Sequence, residues 1–313
     1  MEDIRADLAI EAREMCTEND EKEAENPGIK VSEYGEDGVF VTEIEVISPE
    51  GERAIGKPMG KYITIEAPDI KYSKSVYERT CVEISEQIRK LCNIKENTKT
   101  LVVGLGNEMI TPDALGPEVV SGLMVTNHIK THLENVLDES YSSVCAIVPG
   151  VLGTTGIETT DIIKGVADKI SPEIVICVDA LAARSAGRIS TTFQICDTGI
   201  SPGSGVENKR CAINEESLGA KVIAIGVPTV VDAATIASDS IDAAFRKENP
   251  DGAFPGNKRE IIKKALTENA GNMMVTPKDI DLVIKRAAKT VANGINLALH
   301  RNLTFQDIEN YVG

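Results

Sequence analysis

The sequence predicts an α/β fold with a mostly parallel central sheet flanked by helices, and an antiparallel strand pair added to it. Three observations predict this. From residue 100 to residue 230, short apolar runs alternate with loops and amphipathic stretches, the order of a parallel sheet covered on both faces. Two of these runs, Leu101-Val102-Val103-Gly104 and Ile174-Val175-Ile176-Cys177-Val178, give way to acids: Asp113 in the loop after the first, Asp179 directly after the second. Before them, residues 38–48 alternate in part and precede a second strand-like run at 60–66. Pro49-Glu50-Gly51 lies between, as in an antiparallel pair.

The elements follow in chain order. Residues 3–24 are charged and favourable for helix, with Ile4, Leu8, Ala12, Met15 and Cys16 on one face; Pro27-Gly28 ends them. Tyr77, Cys81, Ile84, Ile88 and Leu91 recur at helical steps, which predicts a helix over 74–92. Buried strands are expected at 100–105, 143–148, 173–178, 189–196 and 221–226, and helices at 115–130 and 157–169. Pro117 suits a helix's first turn, where no backbone N–H partner is needed. Helices are expected again at 233–247 and 258–268, parted by Pro250-Asp251-Gly252 and Pro255-Gly256. The last runs over 277–300, with Ile280, Val283, Ile284, Ala287, Ala288, Val291, Ile295 and Leu299 as its stripe. There is no internal repeat, low-complexity segment or linker, so one domain is expected.

The totals narrow the function. The 313 residues are 42% hydrophobic, enough for a substantial core, but Trp is absent and aromatics are only 4%, so packing rests on aliphatic side chains. The charge, 33 − 49 = −16, argues against direct nucleic-acid binding. Seven cysteines, an odd number without CxxC spacing, read as reduced thiols in a cytoplasmic protein. No apolar run approaches the ~20 residues of a membrane helix, and the N-terminus does not have the form of a secretory signal.

Several motifs fail on physical grounds. Gly104-x-Gly106 begins like a dinucleotide fingerprint, but Met109 holds the third glycine position and Thr111-Pro112 prolongs the loop. Gly199-Ile200-Ser201-Pro202-Gly203 matches G-x-S-x-G, yet Pro202 has no N–H for an oxyanion. His128 and His132 are four apart without the acid of a metalloprotease helix, and read as a solvated helix end. Asp113 and Asp179 remain. Two carboxylates brought together share a proton, which supplies a base to activate water and an acid for a leaving group. An Asp beside a strand end is also a common helix cap, so position alone leaves both roles open.

The residues around these acids carry a resemblance. Val103-Gly104-Leu105-Gly106-Asn107 with Thr111-Pro112-Asp113-Ala114-Leu115-Gly116-Pro117 resembles the germination proteases, endopeptidases of endospore-forming bacteria. The likeness continues through Ala146–Val151, Gly156–Thr159, Asp179-Ala180-Leu181-Ala182-Ala183-Arg184-Ser185, Pro202–Val206, Asn208-Lys209-Arg210, Ile225–Ala233 and Met274–Lys278. It implies a fold similar to the hydrogenase maturation endopeptidases, and degradation of small acid-soluble spore proteins during germination. It also implies a zymogen that loses a short propeptide, a homotetramer, and a cytoplasmic location in the forespore and spore core. Carried over, the catalytic acids are Asp113 and Asp179, atypical for an aspartic-type protease. No cofactor or metal is implied, because no histidine here lies in a matching block. The chain is short between 233 and Asn272, where the family can carry more, and before Asp7. A nickel-dependent maturation protease and a non-catalytic spore-protein binding protein are the rival readings.

Two further expectations follow from the resemblance. The family cuts after an acid within acid-(Ile/Phe)-Ala-Ser-Glu, so a cation should read the substrate carboxylate. Arg184, Lys209 and Arg210 are the candidates, with surface ion pairs as their alternative role. Asp7-Leu8-Ala9-Ile10-Glu11 imitates that pattern with Ile10 in place of Ser. The expected self-cleavage falls between Asp7 and Leu8, so residues 1–7 form a propeptide and 8–313 the protease domain. A helix docked through Leu8, Ala12 and Met15 would hide the bond. Acid would change the pairing of Asp3, Asp7, Glu11 and Glu14 with Arg5 and Arg13, so low pH would be the trigger.

Overall fold

The computed structural model describes residues 7–19, 28–95, 97–133, 136–201, 212–248, 265 and 273–312. A single sheet organises them, with strand order β1-β2-β3-β7-β8-β6-β4-β5 and the short β9 beside β8. The strands are β1 (Ile29–Glu36), β2 (Val39–Val46), β3 (Gly60–Glu66), β4 (Lys99–Gly104), β5 (Ser143–Ile147), β6 (Ile174–Ala183), β7 (Thr192–Cys196), β8 (Lys221–Asp232) and β9 (Met274–Val275).

The sheet is mixed, which corrects the expectation of a mostly parallel one. Parallel pairing holds only for β5–β4, β4–β6 and β6–β8. The pairs β8–β7, β7–β3, β3–β2, β2–β1 and β8–β9 are antiparallel. The reason lies in the connections. A parallel return needs a crossover of about a dozen residues or more. Only Arg184–Thr191, with one short 3-10 turn at Ala186–Arg188, joins β6 to β7. The expected pairing of 38–48 with 60–66 is present as β2–β3, but β1 adds a hairpin partner through Asp37-Gly38, both at positive φ. That pair is a typical hairpin turn. β1 was not legible because its residues are mostly exposed and lack an apolar alternation.

Helices cover both faces. On one, α3 (Lys74–Cys92), α4 (Leu115–Ser121) and α10 (Ile280–Leu299) bury Ile84, Ile88, Leu115, Val119, Val291 and Ile295 against Ile63, Val102, Ile176 and Ile223. On the other, α7 (Thr159–Ile170) packs Ile163 and Ala167 on Leu101, Val103, Val175 and Cys177. Beside it, α1 (Ala9–Asn19) packs Ala9 and Ile10, with Leu8 just ahead of the helix, on Ile44, Val46, Tyr62 and Cys196. Alternation along β6 puts Asp179 on this second face, with the parity of Val175 and Cys177. α10 runs 20 residues, matches the expected stripe, and buries nearly all of it. Among the described residues, no helix is long and apolar enough to cross a membrane.

Other differences are local. The stretch expected as one helix over 115–130 divides into α4 and α5 (Asn127–His132). Asn296 of α10 takes the Gly122 carbonyl and the Met124 N–H at 2.9 Å each, satisfying groups that a continuous helix would have used. Pro49 opens a short α2 (Pro49–Ile55), capped by Ser48 and ended by Gly56 in the left-handed region. Short helices at Leu152–Thr155 (α6) and Glu215–Leu218 (α8), and the C-terminal α11 (Phe305–Val312), were not expected. α9 (Ala233–Glu248) agrees with 233–247. The helix expected at 258–268 falls outside the described residues apart from 265. Among the described residues, Cys16, Cys81, Cys92, Cys145, Cys177 and Cys196 form no disulfide, while Cys211 lies outside them.

Candidate active site

The site begins where β4 stops. Gly104, its last residue, pairs with Val178, and Leu105 donates its N–H to the Val178 carbonyl at 2.8 Å. β6 then runs on from Asp179 to Ala183, paired with β8. Along this extension every second N–H is taken by a carboxylate. Ala180 N–H donates to Asp179 Oδ1 at 2.9 Å, Ala182 N–H to Asp7 Oδ2 at 2.8 Å, and Arg184 N–H to Glu11 Oε2 at 2.8 Å. Backbone donors thus hold the acids of the N-terminal segment here.

The loop after β4 places the other acid. Gly106 has φ +108, where L side chains are strained, and a Cβ there would run into the Asp113 carbonyl oxygen. Gly104 and Gly116 lie backbone to backbone, so the start of α4 presses on the end of β4. A 3-10 turn over Thr111–Asp113 then directs Asp113 back, and its Oδ2 accepts the Asn107 N–H at 2.8 Å. Burial pushes the Asp113 carboxyl above the usual range, and the Asn107 N–H opposes this. Neither acid caps a helix: Asp179 is inside β6, and the residue before α4 is Ala114.

Asp113 and Asp179 line one cavity of about 680 Å³, a size suited to a ligand or a peptide segment. Its wall also includes Asp7, Lys57, Tyr62, Gly150, Gln194 and Gly226. Asp179 is paired in register with Gly226, whose missing side chain makes room for Leu181 of β6. None of the three histidines lines it. His128 and His132 are exposed on α5, and His300 is buried against Tyr141. Among the described residues, no group of three His, Cys, Asp or Glu could hold a metal ion.

The N-terminal segment reaches this cavity at Asp7. Leu8 to Ala12 are all buried, so this is no surface helix resting on one stripe; Met15 and Cys16 are half-buried, and Ile4 lies outside the described residues. The helix begins at Ala9, and the Asp7–Leu8 bond precedes it, hidden by burial of Leu8 rather than by helical conformation. The Asp7 carbonyl oxygen accepts from Lys57 Nζ at 2.9 Å and from Gln194 Nε2 at 3.5 Å, while Gln194 Oε1 accepts the Ala9 N–H at 2.6 Å. Burial holds the Lys57 ammonium below the usual lysine range, opposed by Asp7, Cys196 and Glu11.

Glu11 is fully buried. Besides Arg184 N–H it accepts from Ser185 N–H at 3.2 Å and Arg188 Nη1 at 3.3 Å. Burial raises its carboxyl above the usual range, against the pull of these donors. Arg188 also binds Glu14 at 2.6 Å and 2.8 Å and Glu66 at 3.1 Å. The cation that meets the acid at the end of the substrate-like pattern is therefore Arg188, and Arg184 contributes its backbone. Glu11 and Glu14 both pair with Arg188, a partner the sequence did not suggest. Arg13 pairs with Glu33 at 3.1 Å. Lys209 and Arg210, like residues 1–6 with Asp3 and Arg5, lie outside the described residues. Sequence reasoning missed Lys57, Arg188 and Gln194. Only Gln194 left a signal, a lone polar residue inside the apolar run Phe193–Cys196.

Comparison with known proteins gives the family. A family profile described as germination protease matches residues 9–249 and 252–312. A germination protease of Clostridium tetani is 44% identical over 322 residues, covering 99% of each chain. One from Caldanaerobacter subterraneus subsp. tengcongensis is 46% identical over 318 residues, covering 97% of each. One from Priestia megaterium is 40% identical over 359 residues, covering 98% of this chain and 96% of its own. The profile match breaks only at 250–251, within the region the sequence marked as short.

Proposed function

The chain belongs to the germination protease family, a family of peptidases, and from that premise we propose that it hydrolyses small acid-soluble spore proteins after acidic residues, in the spore core. The observation that carries this reading is the docking of Asp7–Glu11, acid-apolar-Ala-x-acid, with Asp7 at the wall of the cavity that Asp113 and Asp179 line and Glu11 held by the Arg184 N–H.

Asp113, whose proton is favoured by burial, is the acid, and Asp179 the base. Asp179 takes a proton from water as the water oxygen bonds to the carbonyl carbon. Asp113 gives its proton to the leaving amine as the C–N bond breaks. The products carry one water in sum, and the two carboxyls have exchanged roles. No cofactor takes part.

The chain is made as a zymogen and cuts itself between Asp7 and Leu8, releasing residues 1–7 and leaving 8–313 as the protease domain. The docked segment supports this, because it brings Asp7 to the wall of the cavity that holds both acids. Identical chains assemble as a tetramer; support comes from the family and from exposed Phe40, Tyr72, Met109 and Ile110, apolar surface that assembly would cover.

The test is digestion of a purified small acid-soluble spore protein, with and without a chelator, read by mass spectrometry. Cuts after acidic residues in both samples are expected. Binding without cleavage, or cleavage lost to the chelator, would overturn the reading. Held in mild acid, the protein should gain an N-terminus at Leu8, and an Asp113→Asn variant should not.

A further inference from the structure

We infer that Lys57 is the group that receives the oxyanion in this cleft, with Gln194 as a second donor and as the clamp that sets the peptide's register. The inference rests on the peptidase reading above and adds to it a role for two residues that lie in none of the motifs carrying the family resemblance.

The geometry is specific to one peptide unit. Of the segment's backbone, the Asp7 carbonyl oxygen is the atom that Lys57 Nζ meets, at 2.9 Å, and Gln194 Nε2 approaches the same oxygen at 3.5 Å. The Gln194 amide also accepts the Ala9 N–H at 2.6 Å, so it grips the chain on both sides of Leu8. The Asp7 side chain accepts from Ala182 N–H at 2.8 Å, and its charge helps keep the half-buried Lys57 an ammonium. Asp113, Asp179, Lys57, Gln194 and Asp7 line the same cavity.

This arrangement meets what the reaction needs. When water bonds to the Asp7 carbonyl carbon, the C=O pair moves onto the oxygen, where a full negative charge develops. An ammonium already in contact with that oxygen, at a half-buried position, stabilises the charge without reorganising. On collapse the pair returns, the C–N bond breaks, and the Leu8 amine leaves with a proton from an aspartic acid. Lys57 keeps its protons throughout. Two carboxylates alone provide no positive charge for this step; Lys57 provides it, and Gln194 adds a neutral N–H donor. Position supports the assignment: Lys57 directly follows Gly56, the left-handed residue that ends α2, so its backbone is fixed by a short helix docked beneath α1.

The competing role is an anchor, in which Lys57 only fastens the N-terminal segment. Substrate supplied in trans separates the two. The full-length protein, allowed to complete its own processing, is assayed on a spore-protein peptide containing one acid-apolar-Ala site, beside Lys57→Met and Lys57→Arg. Where Lys57→Met does not process itself, residues before Leu8 are removed with an engineered protease site. The inference predicts that Lys57→Met lowers kcat by about 100- to 1000-fold, with KM within a few-fold. Lys57→Arg, which keeps the cation, should recover a measurable part, and Gln194→Leu should lose several-fold. An unchanged kcat for Lys57→Met, or a loss confined to KM, would overturn it. If Lys57→Met melts without cooperativity, Lys57→Arg against Gln194→Leu decides by the same split. Absence of cleavage by the wild type would instead count against the peptidase reading itself.

Discussion

Replacing Glu11 with Ala should release the first turns of α1 from the cleft while leaving the sheet intact. Glu11 is fully buried and is bound by Arg184 N–H, Ser185 N–H and Arg188 at 2.8, 3.2 and 3.3 Å. Arg188 keeps Glu14 and Glu66, so its charge stays paired. The two backbone donors lose their acceptor, at about 1–3 kcal/mol each, part of which water recovers. A net loss of about 2–4 kcal/mol follows, or roughly 30- to 1000-fold in the docking equilibrium. Hydrogen exchange read by mass spectrometry should show protection falling by that factor for amides of Ala9–Asn19, with β4 and β6 unchanged. The effect has a pH signature. The folded Glu11 carboxyl is raised, so docking is strongest below the ordinary carboxylate pKa and weakens as pH rises through the raised value. Through Glu11, acid therefore favours the seated segment, and Glu11→Ala should abolish this contribution. Protection of α1 within three-fold of wild type, or an equal loss in the central strands, would refute the reasoning.

Two further outcomes follow from burial of titratable groups. Asp113 must be protonated to act as an acid, and burial raises its carboxyl, so kcat on a spore-protein peptide should fall as pH rises through that raised value; a kcat constant from acid to neutral pH would contradict this. His300, lowered by burial to about 4 from 6.5, takes up a proton on unfolding. Its contribution to stability is present above about pH 6.5 and lost as pH falls through about 4. The span is worth about 3 kcal/mol, and urea melts of wild type and His300→Asn at both ends of the range should show a shallower acid loss in the variant.

Much of this was legible because it rests on local pattern. The run Ile174–Val178 is apolar on both faces and emerged as the sheet's inner strand, and the helical steps from Tyr77 to Leu91 gave α3 its observed bounds. The positions of Asp113 and Asp179 at neighbouring strand ends brought them to one cavity, since β4 and β6 are adjacent in the sheet. What was not legible depends on distant contacts. The antiparallel half of the sheet follows from where β7 inserts, between β3 and β8, which no periodicity encodes. Arg184 was favoured because it follows the Asp179 motif, yet its backbone N–H is the contacting group, a choice made by the free flank of β6 beyond Gly104. Lys57 and Arg188 carry no motif and acquire meaning only when α1 is docked.

The account's central claim is that Asp113 and Asp179 perform the hydrolysis. The direct measurement is kcat for a spore-protein peptide with Asp179→Asn and Asp113→Asn, each shown by circular dichroism and thermal melting to fold as wild type does. The account predicts a fall of about 100- to 10,000-fold in both, with peptide binding retained; activity within a few-fold of wild type in either variant would contradict it.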